Sequence, residues 1–285
     1  MGIIAGFLAM LGWGTGDFLG AILSRRIGHL LTVFWMQITG FLFAVIYFGT
    51  NLKFFNFSDA IKFLPVIAIC GFLEVIAYLA FYKGFEEGQV SLVSPIGSSW
   101  PVLTIIFGLV FLKETLLTNQ IIAIVLIFFG LILISINIKE IRQRKWVISK
   151  GVKEGIIAMV GWGILFFLLT GPSRALGWFL PVLIFRFFTI LFLLPFIFRN
   201  KNSNEIFPRF YLAPLIIIGL LDVGAFFAYT FGIRGEQVSI VAPIIAAFPL
   251  VTVALAKIFL KEKLLLNHIL GIISTIVGLI LISIK

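Results

Sequence analysis

Apolar residues along this chain fall into ten runs of ~20 residues, the length of helix that crosses ~30 Å of hydrocarbon, separated by short polar stretches. The runs cover 3–23, 31–49, 63–83, 91–112, 119–138, 155–171, 179–198, 210–232, 239–260 and 267–284. In lipid every backbone N–H and C=O must be paired within the protein, so the runs are predicted to be helices. Short connections make neighbours in sequence antiparallel neighbours in space. The pattern predicts an all-α integral membrane protein with ten transmembrane helices.

The pattern also repeats. At a fixed offset of 148, residues 84–114 and 232–262 share 13 of 31 positions, among them Gly84, Gln89, Pro95, Pro101, Thr104 and Phe111–Glu114. Gly130–Ile136 recurs unchanged as Gly278–Ile284, and at offset 149 Gly12-Trp13-Gly14 recurs as Gly161-Trp162-Gly163. The chain reads as a tandem duplication: one five-helix repeat over 3–138, a connection over 139–154, and a second repeat over 155–284. An odd number of spans per copy makes the copies enter the membrane in opposite senses. Inverted repeats place a binding site where the two copies meet.

Composition agrees. Of 285 residues, 61% are hydrophobic and 12% charged, whereas soluble domains carry about a quarter charged residues. The net charge of +10 sits in short loops, where membrane topology places basic residues, so no nucleic-acid partner is expected. Cys70 is the single cysteine, which excludes an intrachain disulfide and a cysteine-based metal site. Met1 runs directly into the first span, and no cleaved leader is expected. The expected location is the cytoplasmic membrane, multi-pass, with lipid as the surrounding partner and the chain acting as a monomer or homodimer.

Four charges fall inside spans: Asp17 in the first, Glu74 in the third, Arg186 in the seventh and Asp222, the repeat equivalent of Glu74, in the eighth. A charge at mid-bilayer costs ~2.5–3.5 kcal/mol even on a lenient scale, so these side chains should face the bundle interior. A structural ion pair between Arg186 and one acid is the plain reading of Arg186. It leaves at least two carboxylates without a cation, and a carboxylate so placed is a candidate proton carrier. Asp17, Glu74 and Asp222 are the three candidates.

Aromatic residues share faces with these acids. Trp13 and Asp17 are four apart, as are Glu74 and Tyr78, Tyr78 and Tyr82, and Asp222 and Phe226, with Tyr229 three further on. Acid and ring on one inward face suit the wall of a pocket for an organic solute. With 33 Phe in the chain, aromatic neighbours also arise by composition alone. Trp13, Tyr78, Tyr82, Trp162 and Tyr229 therefore weigh more than Phe, because their polar atoms need partners when buried.

The fourth and ninth spans carry matched prolines, Pro95 and Pro101 against Pro243 and Pro249. Each removes a backbone donor, so these spans are expected to bend. The small residues between them, including Ser98, allow close approach of a helix or a solute. Phe-Leu-Lys-Glu at 111–114 and 259–262 reads as a structural turn, with its Glu at the water interface and Asn119 or Asn267 as N-cap of the next helix. His29 and His268 read as solvated loop or boundary residues. No nucleophile–base pair, phosphate loop or metal-ligand cluster is apparent, so no enzyme activity, metal or cofactor is expected.

The Trp-Gly of the first and sixth spans, the proline-bearing fourth and ninth spans closing on an apolar-x-Glu turn, and the Gly with its aliphatic run ending each half resemble the drug/metabolite transporter superfamily. The similarity is to the ten-helix branch with two EamA-type domains and covers essentially the whole chain. Arg186 matches an Arg common early in the second span of an EamA unit, where the first copy has Gln37. The resemblance implies a central cavity lined by spans 1, 3, 4, 6, 8 and 9, with Gly14, Ser94, Pro95 and Pro243 as cavity or hinge positions. It implies transport of small organic metabolites, often efflux of amino acids or related compounds. Asp17 departs from the general pattern.

The expected function is thus secondary transport by alternating access, proton-coupled or by exchange. A passive channel and a flippase-like lipid-handling protein are the competing classes. No span carries the continuous polar stripe of a pore, whereas the basic connection could bind anionic headgroups. Loop charge also predicts sidedness. Fourteen Lys and Arg face the side of the 139–153 connection and six face the other, which puts that connection in the cytoplasm and both termini outside. The family resemblance implies the reverse. A cysteine introduced by Ser149→Cys in a Cys70→Ala background is expected to resist an impermeant maleimide on intact cells; labelling from outside reverses the orientation.

Overall fold

The computed structural model describes residues 1–50, 59–88, 90–135, 150–199, 209–259 and 266–283. The joining segment from 136 to 149, Lys261 and Glu262 of the second turn, and the side chains of Pro95 and His268 lie outside the described residues. The described residues are helical: α1 (Gly2–Ile27), α2 (His29–Thr50), α3 (Ala60–Glu87), α4 (Val90–Ser98), α5 (Pro101–Phe111), α6 (Thr118–Ser135), α7 (Val152–Leu176), α8 (Leu180–Arg199), α9 (Leu212–Gly235), α10 (Val238–Ala246), α11 (Phe248–Phe259) and α12 (Leu266–Ser283), with one 3₁₀ turn at Arg209–Tyr211. Seven stretches are long and apolar enough to cross a membrane, and Ile96–Phe111, Thr118–Leu133 and Ile269–Ile282 are shorter apolar helices. Ile46, Phe198 and Ile273 stand exposed, while Glu74, Arg186 and Asp222 are buried. Apolar outside and charged inside suits a lipid surround.

The fourth and ninth runs, expected as single bent spans, are each two helices. Pro101 opens α5 and Pro249 lies in the first turn of α11, where neither has an N–H to continue the ladder. The breaks tighten to shorter-range bonds: Ser99 N–H to Ile96 O at 3.1 Å, and Ala247 N–H to Ile244 O at 3.3 Å. Gly28 and Gly177, equivalent at offset 149, end α1 and α7 at φ 84° and 92°, a conformation that leaves room for no ordinary side chain.

The duplicated motifs explain one another. α1 packs along α9 and against α10–α11; its equivalent α7 packs along α3 and against α4–α5. At the contact with each broken helix sits a glycine of the Trp-Gly motif. A Cβ on Gly14 would lie 2.6 Å from Phe248 O, and one on Gly163 would lie 3.0 Å from Trp100 O. Across the same contacts Thr252 donates to Gly14 O and Thr104 to Gly163 O, each at 3.0 Å. The glycines therefore let a helix rest on a backbone carbonyl beside each break. The third motif joins α6 to α12. Cβ atoms on Gly130 and Gly278 would press on Gly271 O and, at 2.8 Å, on Ala123 O. Asn267 donates to Leu133 O at 2.9 Å and so ties α12 to α6; it lies inside α12, which begins at Leu266. Asn119 likewise lies inside α6, which begins at Thr118.

Gly163→Val is expected to destabilise the bundle by about 1–3 kcal/mol, as overpacking does. Gly171→Ala, where an added Cβ meets nothing within 4 Å, should be neutral. Thermal unfolding of the two purified variants checks the pair.

Candidate functional site

The intramembrane charges converge on one buried network. Asp222 on α9 accepts from Arg186 on α8, from Tyr78 on α3, and from the indole N–H of Trp13 on α1 at 2.9 Å. Arg186 also donates to Gln37 Oε1 at 2.6 Å and lies over the Phe226 ring, 5.1 Å from its centroid. Glu74 on α3 accepts from the indole N–H of Trp162 on α7 at 3.0 Å. Its other oxygen has no hydrogen-bond partner, and neither has the amide nitrogen of Gln37 beside it.

Repeat equivalence makes this geometry intelligible. Trp13 and Trp162 are equivalents, and each indole serves the acid of the opposite copy. Arg186 and Gln37 are equivalents at offset 149 and bond to each other across the interface. Two substitutions then break the balance. Asp222 gains the Tyr78 hydroxyl, where Phe226 offers Glu74 nothing, and it gains the Arg186 guanidinium, where the first copy has neutral Gln37. The donors concentrate on Asp222, and Glu74 stays buried with one.

Beside the network is a narrow cavity of about 20 Å³, room for about one water molecule, lined by Trp13, Asp17, Tyr78, Trp100, Trp162, Phe166, Phe226 and Phe248. Five of these are residues the sequence singled out: Trp13, Asp17, Tyr78, Trp162 and Phe226. Trp100, Phe166 and Phe248 were missed. Trp100 and Phe166 stack with centroids 4.0 Å apart. A signal was present, because Trp100 and Phe248 are repeat equivalents at the two helix breaks and Phe166 is the equivalent of Asp17.

The remaining sequence candidates sit elsewhere. Gly14 and Pro243 are buried at or within the broken helix α10–α11. Ser94 and Ser98 are buried in α4. Tyr82 donates to Met36 Sδ at 3.4 Å, and Tyr229 to Phe166 O at 3.0 Å; both are buried behind the cavity wall. The turn residue Glu114 is a correction. Expected at the water interface, it is only 5% exposed. It accepts the Val238 and Ser239 N–H groups at 3.1 and 3.0 Å, together with the Ser239 hydroxyl, and pairs with Arg174 at 3.1 Å. It caps the N-terminus of α10, a helix of the other repeat, where the helix dipole favours an anion.

Asp222→Asn removes the only carboxylate paired with Arg186 among the described residues and leaves a buried charge uncompensated. Breaking a buried pair this way costs about 3–5 kcal/mol. Glu74→Gln removes no ion pair and is expected to change stability by no more than about 1 kcal/mol. Denaturant or thermal unfolding of both variants in detergent tests the asymmetry.

Comparison with known proteins agrees with this geometry. A solved crystal structure, 13% identical, superposes with a TM-score of 0.74 over 99% of this chain and 96% of that one, which supports the fold. An uncharacterized protein of Methanocaldococcus jannaschii is 35% identical over 137 residues, 47% of this chain and 96% of the relative, so that protein spans about one repeat. The model of the EamA-like transporter family matches twice, over residues 1–136 and 149–284. Matched over nearly its whole length, and with the network and cavity built between the two matched segments, the chain belongs to the EamA-like transporter family, of the drug/metabolite transporter type.

Proposed function

We propose that this membrane transporter works by alternating access between two five-helix repeats, 3–138 and 155–284, joined through 139–154 and inserted in opposite senses. In this reading each broken pair of helices, α4–α5 and α10–α11, counts as one of ten crossings. The solute is a small organic metabolite, an amino acid or a related compound, exported across the cytoplasmic membrane with proton coupling or by exchange.

The observation that carries the reading is the cavity's position. All of its lining residues form repeat-equivalent pairs, so it lies on the seam along which the copies rock. A network of one cation and two carboxylates adjoins it, with a third carboxylate in its wall. The asymmetry of that network narrows the proton-carrying role. Asp222 is held by three donors including a guanidinium, so Glu74 and Asp17 are the acids free to exchange a proton as the solute moves.

Proteoliposomes preloaded with a mixed metabolite pool are expected to show trans-stimulated uptake of labelled solute. A passive pore gives no trans-stimulation, so its absence defeats the transporter mechanism. Glu74→Gln is expected to lower transport driven by a pH gradient by about tenfold or more while the protein stays folded, because it removes a titrating group at mid-bilayer. Wild-type rate and pH dependence in that variant would remove Glu74 from the mechanism.

A further inference from the structure

The cavity's composition is more specific than packing requires. Its eight lining residues are four repeat-equivalent pairs: Trp13 with Trp162, Tyr78 with Phe226, Trp100 with Phe248, and Asp17 with Phe166. Seven are aromatic. The exception is Asp17, at a position the second copy fills with a ring. Asp17 is 5% exposed and has no hydrogen bond or ion pair to any described residue. Phe166 shows that an apolar residue fills the equivalent place, so packing does not account for the acid.

Two features of the wall select the same ligand chemistry. Ring faces carry negative charge density and attract cations, with Trp the strongest of them. The Asp17 carboxylate supplies a full counter-charge in the same wall. An anionic group finds no cation in the wall, and the one donor left to it is the neutral Trp100 indole N–H. The indole N–H groups of Trp13 and Trp162 and the hydroxyl of Tyr78 are occupied by Asp222 and Glu74. Arg186 is fully buried, engaged by Asp222 and Gln37, and absent from the lining. The carboxylate of an amino acid would therefore face rings and Asp17.

We infer that this cavity, narrow here and widened as the two repeats move apart, binds a small organic monocation, an amine or quaternary ammonium compound lacking a carboxylate, with its nitrogen beside Asp17 and its apolar part against the rings. The inference rests on the transporter reading and narrows its solute class from amino acids and related compounds to those related compounds that carry no carboxylate.

The test is calorimetric titration of the purified full chain with phenethylamine, phenylalanine, 3-phenylpropionate and tetramethylammonium. The first three share one ring and differ only in charged groups. Phenethylamine is expected to bind at least about tenfold more tightly than phenylalanine, with 3-phenylpropionate not bound and tetramethylammonium bound. Asp17→Asn should weaken both cations at least about tenfold, because it keeps the shape and removes the counter-charge. Should that variant not fold, Phe248→Leu decides: it keeps an apolar wall, removes a ring face, and should weaken tetramethylammonium about tenfold. Phenylalanine binding as well as phenethylamine, unaltered cation affinity in either folded variant, or no cation binding overturns the inference. Trans-stimulated exchange of another solute class alongside any of these leaves the transporter reading standing; its absence for every solute removes both.

Discussion

The interior of this bundle holds three carboxylates and one guanidinium among its described spans, and the architecture of the site follows from that imbalance. A low-dielectric interior tolerates a charge only where opposite charge and hydrogen bonds compensate it. Arg186 compensates one acid, and it is Asp222, reinforced by Trp13 and Tyr78. Glu74 is left with a single indole, and Asp17 faces the cavity. A charge held at mid-bilayer costs ~2.5–3.5 kcal/mol even on a lenient scale, and that cost is the ground for the role proposed for these acids.

Duplication supplies the frame that makes the imbalance useful. Each Trp-Gly helix leans on the broken helix and on the third helix of the opposite copy. The indole that follows from this packing reaches across the seam to the opposite acid. Glu114 does the same at the bundle's rim, where it caps a helix of the other repeat. The copies are thus bound by polar contacts at the centre and at the edge, with small residues letting the backbones approach between them.

The equivalence of the copies is closest where backbone geometry is at stake and loosest where charge is. Gly14 and Gly163, Thr104 and Thr252, Gly28 and Gly177 and Gly130 and Gly278 are identical pairs, and each holds a close approach or a turn. Among the pairs that differ are Glu74 with Asp222, Gln37 with Arg186, Tyr78 with Phe226 and Asp17 with Phe166. All four lie in the network or the cavity wall. A shared scaffold with diverged polar positions lets one half of a symmetric cavity differ chemically from the other.

Much of this was legible in the sequence, because the deciding physics is local or periodic. The length of each apolar run fixes a helix, proline fixes a break, and a repeat offset names the equivalents. Burial of Asp17, Glu74, Arg186 and Asp222 followed from the cost of charge in lipid. What only the tertiary structure decided was choice among partners. Arg186 could have paired with any of the three acids, and spacing along one helix is silent about which. The Trp13–Asp222 bond joins residues 209 apart, and the Arg186–Gln37 bond residues 149 apart. Trp100 and Phe248 likewise reach the cavity only because the breaks turn them inward against α7 and α1. Sequence patterns set which face of a helix is buried; the packing of non-adjacent helices sets which side chains meet on it, and chemistry depends on the meeting.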